Sequence, residues 1–106
     1  MNIKKLNVLG MQVIVRIKKL NPVDKSVAEY DPNTKTITID PTYSDLSLSY
    51  FHECGHALYQ RSGMQQAVRN GPIEEVFCEA FSNFMEDNIV YMYQNYLKLK
   101  KIDKKP

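Results

Sequence analysis

His52-Glu53-Cys54-Gly55-His56 sets a carboxylate between two metal-binding side chains, and the chain has only 2 histidines, both within this pentapeptide. On a helix, residues four apart emerge from nearly one face. Two imidazoles so placed can bind one Zn²⁺ at about 2.0–2.1 Å. Glu53 is offset to the side, where it reaches a water on the metal rather than the metal itself. The chemistry expected of such a set is metal-assisted amide hydrolysis. The metal would polarise a carbonyl and lower the pKa of water towards about 7. Glu53, as general base, would take the water proton and pass it to the leaving amine.

Two histidines do not complete a catalytic zinc site, which uses three protein ligands and an open fourth position. With no third histidine, the remaining ligand must be an acid or a thiol. Glu74, Glu75, Cys78 and Glu79 lie downstream in a segment of helical pattern. Glu75 and Glu79 share a helical face, and Cys78 lies beside them. Antiparallel packing of the two helices would bring this turn to His52 and His56. Glu74 reads as an ordinary acid of the first helical turn. A fourth protein ligand, from Cys78 or Glu79, would instead close the site and make the zinc structural.

The elements that must position these groups follow from periodicity. Residues 2–9 and 11–18 carry a period-two, β-branched pattern around Gly10, which reads as two strands and a turn. Asn21-Pro22 stops the second strand. Residues 27–30 read as a short strand, and Asp31-Pro32-Asn33-Thr34 as a turn. Residues 35–40 read as a strand whose Lys and Thr face looks to solvent or a cleft. At a sheet edge, that strand could take up an extended peptide by β-addition. The period changes at about Asp45, giving a helix to about Arg61, with Ser44 as N-cap and Gly63 as stop. Residues 64–71 read as a loop. Pro72 then opens a long second helix reaching about Lys98, its apolar face including Ile73, Val76, Phe77, Ala80, Phe81 and Phe84 and continuing through Ile89 and Met92. The sum is a small α+β domain: a mostly antiparallel sheet of three or four strands, then two packed helices.

Composition sets the remaining bounds. At 106 residues the chain is one domain, taken as residues 1–98 with a basic tail over 99–106. A net charge of +2 gives no case for nucleic acid. No run approaches the apolar length of a membrane span. The apolar stretch after Lys4-Lys5 is interrupted by Asn7, Gly10 and Gln12 and lacks a small-residue cleavage site, unlike a signal peptide. A cytoplasmic location is expected, with Cys54 and Cys78 as reduced thiols. The expected partner is a protein or peptide substrate.

The segments Phe51–Leu58 and Glu75–Phe81 together resemble gluzincin-type metallopeptidases, in which two histidines and a downstream glutamate hold zinc. Over residues 27–90 the chain is most similar to the small ImmA/IrrE-like proteins of phages and mobile elements, which also place a Tyr-Asp, turn and strand unit before the histidine helix. The second segment is also similar to the E-x-x-x-E-A-F run of the anthrax lethal-factor protease domain. The resemblance implies a minimal zincin-like fold, zinc, His52 and His56 as ligands and Glu53 as base. Through the E-x-x-x-E-A-F run it implies Glu75 as third ligand, with Glu79 orienting a histidine. Through the ImmA/IrrE pattern, Glu79 is the alternative ligand. The lethal-factor pattern has a tyrosine where this chain has Val68, so Arg69, Tyr43 or Tyr59 would have to stabilise the oxyanion. Without that tyrosine, a catalytically silent binding or assembly module is the alternative function. For a phage-borne protein, the location implied is the host cytoplasm.

Overall fold

The computed structural model describes residues 3–20, 27–64 and 71–103. Four strands precede two helices: β1 (Leu6–Val8), β2 (Met11–Ile17), β3 (Ala28–Asp31), β4 (Thr36–Ile39), α1 (Leu46–Arg61) and α2 (Gly71–Asp103). The sheet order is β1-β2-β4-β3. β1–β2 and β3–β4 pair antiparallel and β2–β4 pair parallel, so the sheet is mixed.

Local chemistry explains the turns. Leu9 and Gly10 both have positive φ, 50° and 85°, as the right-handed strand twist demands of a two-residue hairpin. Asn7 Oδ1 accepts the Gly10 N–H at 2.8 Å and fixes that turn. At the β3–β4 turn, Asp31 Oδ1 accepts the Asn33 N–H at 2.9 Å, an Asx-type closure. Asp40 then fixes the approach to α1. Its carboxylate accepts the Thr42 N–H at 2.9 Å, the Thr42 hydroxyl at 2.7 Å and the Leu20 N–H at 3.0 Å. Those hydrogen bonds, chiefly from Thr42, hold its pKa below the ordinary carboxylate value.

β4 departs from the sequence expectation. It lies inside the sheet between β2 and β3, and all four of its residues are buried. Its polar face is covered, not open: Arg16 Nε donates to Thr38 Oγ1 at 3.3 Å, and Thr36 Oγ1 donates to the Thr34 carbonyl at 3.1 Å. Among the described residues, β3 is the edge strand on that side. The helix start also differs. Asp45, not Ser44, is the N-cap, with φ 57° and no side-chain cap bond. Ser62 and Gly63 close α1 at its other end by donating to the Leu58 and Gln60 carbonyls, with Gly63 at φ 86°. α2 continues to Asp103, past the expected end near Lys98. Asn21-Pro22 and most of the expected 64–71 loop lie outside the described residues.

The core fills the space between the sheet and α1. Val13, Val15, Ile37, Ile39 and Ala57 are buried together, with Leu46, Tyr50 and Cys54 of α1 packed against them. α2 packs chiefly on α1, giving three layers: sheet, α1, then α2. Its buried residues are Glu74, Cys78 and Ser82. The apolar face expected of α2 is therefore displaced. Val76 is 69% exposed, and Ile73 and Phe84 are exposed as well.

Candidate metal centre

α1 presents its apolar stripe to the sheet and a different stripe, including His52, Gly55, His56 and Tyr59, towards α2. Gly55 permits the close approach. A Cβ there would stand 3.2 Å from both Cα and Sγ of Cys78. Below the histidines, Tyr59 packs on Phe77, which stacks with Phe81, at centroid separations of 5.6 and 5.9 Å. These contacts fix the height of α2 against α1 and so align the glutamates with the imidazoles.

Glu75 spans both rings. One of its carboxylate oxygens is 3.0 Å from His56 Nε2 and the other is 3.3 Å from His52 Nε2. The opposite nitrogens face other acids. His56 Nδ1 is 2.6 Å from Glu74 Oε2, and His52 Nδ1 is 3.6 Å from Glu79 Oε1. A carboxylate accepts, so Glu74 selects the tautomer with the proton on Nδ1 of His56. That leaves the Nε2 lone pair directed at Glu75. Lone-pair atoms converging at such distances repel unless a proton or a cation lies among them. Ligand atoms on a tetrahedral zinc, each at about 2.0–2.1 Å, stand about 3.3–3.4 Å apart. Glu75 thus offers each imidazole one carboxylate oxygen, at separations close to those between neighbouring ligands on a tetrahedral zinc.

Cys78 is a second potential donor. One ligand atom from each of His52, His56 and Cys78 lies within 4.8 Å of the others. Its thiol is buried between the helices, and burial, then Glu74 and the other nearby acids, push its pKa up to about 12. A bound metal would deprotonate that thiol, so Cys78 and Glu75, whose oxygens stand 3.0 and 3.3 Å from the two Nε2 atoms, are both potential third donors. Cys54 and Cys78 are both free thiols.

The chain matches no known protein-family model, no curated protein and no solved structure. The geometry of the site alone therefore carries the functional argument.

Glu53 is buried at 7% exposure and borders two cavities of about 390 and 690 Å³. The first is walled by Val27, Ala28, Leu48, Ser49, Glu79 and Ser82, and the second by Tyr30, Gln60, Pro72, Glu74 and Glu75; both reach Glu53 and His56. Together they flank the histidines with β3 along one side. Burial raises the pKa of Glu53, opposed by His56 and His52. That is the direction expected of a carboxylate serving as a proton acceptor near neutral pH.

Two features were not anticipated from sequence. Glu74 is 9% exposed and bonded to His56, not a solvated first-turn acid; Gln60 Nε2 also donates to it at 3.4 Å. The available signal was spacing, since Glu74, Cys78 and Phe81 fall on one helical stripe. The second is Tyr30, which lines the cleft. Burial, then Asp31, raises its pKa, so it keeps its hydroxyl proton. Of the oxyanion candidates from sequence, Tyr59 is buried against Phe77. Tyr43 is 41% exposed in the connection before α1, and neither borders the two cavities. Val68 and Arg69 lie outside the described residues.

Proposed function

We propose that this protein is a zinc-dependent metallopeptidase with His52, His56 and Glu75 as ligands and Glu53 as general base. The observation that carries the reading is the bridging position of Glu75, 3.0 and 3.3 Å from the two Nε2 atoms, beside a buried carboxylate in a cleft. Bound zinc would supply Lewis acidity, polarising a carbonyl and making water more acidic.

This chain's own residues do the rest. Glu74 holds His56, and Glu79 faces the far nitrogen of His52, so the rings are oriented from behind. Glu53 accepts a proton from water as its oxygen bonds to the carbonyl carbon. As the C–N bond breaks, the proton passes from Glu53 to the amine nitrogen. Tyr30, which keeps its proton, is a hydroxyl donor in the cleft for the developing oxyanion. The peptide is taken up along an edge strand, and that strand is β3, not β4, whose ladder is filled on both sides. The absence of a membrane-crossing helix among the described residues and two free thiols are compatible with a cytoplasmic location, which we propose with the activity.

The test is Glu53→Gln. Metal content should stay at one zinc per chain while hydrolysis of an unfolded protein substrate falls by about 10²–10⁴-fold. Undiminished hydrolysis by this variant would contradict the mechanism. Zinc binding by the native protein with no cleavage of any peptide pool would favour a silent binding module.

A further inference from the structure

One stripe runs the length of α2 with alternating spacings of four and three residues: Cys78, Ser82, Met85, Ile89, Met92, Tyr96 and Leu99. Such spacing keeps a seam on one side of a helix and is the pattern of helix-to-helix packing. α1 covers its first part. Cys78 and Ser82 are 0% and 2% exposed, and Met85 is half-buried. Ser47, in the first turn of α1, donates to Glu86 at 2.9 Å and marks where that cover ends. Beyond it the same stripe opens to solvent, with Ile89, Met92, Tyr96 and Leu99 at 36, 41, 53 and 60% exposure. Residues 86–103 extend about 27 Å past this point at 1.5 Å per residue. Apolar surface of this kind on a monomer marks an interaction site.

We propose that this overhang pairs antiparallel with the overhang of a second copy of the chain, forming a two-fold homodimer. Charge selects both the occupant and the direction. Acids stand at the start of the overhang, Glu86 and Asp87, and its end is net basic, with Lys98, Lys100 and Lys101 against the single acid Asp103. Parallel pairing would set the lysines of the two copies side by side. Antiparallel pairing sets each acidic end against the other's basic end. Centred on Gln94, it places Ile89 of one copy level with Leu99 of the other, and Met92 level with Tyr96. Glu86 and Lys100 both flank the seam on the same side and come within two residues of one another across the two-fold, whereas Asp87 and Lys101 lie on the outer face of the helix. The exposed residues flanking the seam are matched as well. Phe84 comes beside Ile102, 47% and 63% exposed in a single chain. A two-fold makes every such contact twice.

Sedimentation equilibrium and light scattering of the full chain should give twice the mass of one chain. Met92→Glu with Leu99→Glu should give single-chain mass with the α1–α2 unit still folded. A variant that merely misfolds is excluded by a charge exchange. Lys100→Glu should weaken dimerisation about tenfold, because an exposed ion pair is individually weak but is repeated by the two-fold. Adding Glu86→Lys to that variant should restore the dimer. A native chain that stays monomeric would overturn the proposal, as would a dimer indifferent to charge reversal. So would a monomer that sediments with phosphatidylserine vesicles, since the face would then belong to an anionic membrane surface.

Discussion

α1 makes two interfaces of opposite character. Towards the sheet it offers Leu46, Tyr50, Cys54 and Ala57 against Val13, Val15, Ile37 and Ile39, a continuous apolar contact. Towards α2 it offers histidines, a glycine and Tyr59 against Glu74, Glu75, Cys78 and Phe77. The first interface removes apolar area from water and stabilises the fold. The second brings a buried acid and converging lone pairs together, an arrangement that costs free energy unless a cation or proton joins them. The sheet side therefore holds the domain together, and the α2 side gathers the groups of the proposed metal site.

Substitutions should separate the two. The largest effect on stability is expected from Ile37→Ala. Ile37 is fully buried and paired on both sides, with Val15 and Tyr30. The loss should be about 2–5 kcal/mol by chemical denaturation, with or without zinc. Equal rescue of this variant and the native protein by zinc would fit the division; selective rescue of the variant would not. Glu74→Gln should act on the other side. It replaces the acceptor that orients His56 and should lower zinc affinity about 10–100-fold, measured by competition with a chelating dye. An unchanged affinity would remove Glu74 from the site.

A smaller effect concerns pH. The folded-state pKa of Glu53 is raised, chiefly by burial, so between its unfolded and folded values the native state binds more protons than the unfolded one. In metal-free protein this acid therefore disfavours folding as pH rises through that window. Glu53→Gln removes the penalty and should raise the melting temperature of metal-free protein at neutral pH, with the gain vanishing in acid below the ordinary carboxylate range. A lower melting temperature at neutral pH would show that the carboxylate is stabilising where it sits. Asp40 acts in the reverse sense. Its pKa is depressed, so its contribution is present above the unfolded value and is lost as pH falls through the folded one.

Much of this organisation was legible in the sequence. The alternation in residues 11–17 and 36–39, the Gly10 and Asp31-Pro32 turns and the change of period near Asp45 each correspond to an observed element. What failed was non-local. Nothing within residues 35–40 says whether that strand is an edge or is flanked on both sides, because that depends on where β2 pairs. The buried face of α2 differs from the expected one for a related reason. Apolar periodicity favoured Val76 and Ala80, yet the helix contacts its neighbour through Glu74, Cys78 and Ser82, and a polar or small-residue interface leaves no hydrophobic stripe to read. The His52–Glu53–His56 spacing is explicit, but the contact of Glu74 with His56 is hidden in the sequence because a first-turn acid has an ordinary explanation in the helix dipole.

The most direct measurement is zinc titration of metal-free protein by calorimetry, run beside Glu75→Ala. The account predicts one tight site per native chain, a rise in melting temperature on filling it, and loss of both in the variant. Native protein that takes up no zinc, or Glu75→Ala binding as tightly as native, would contradict it.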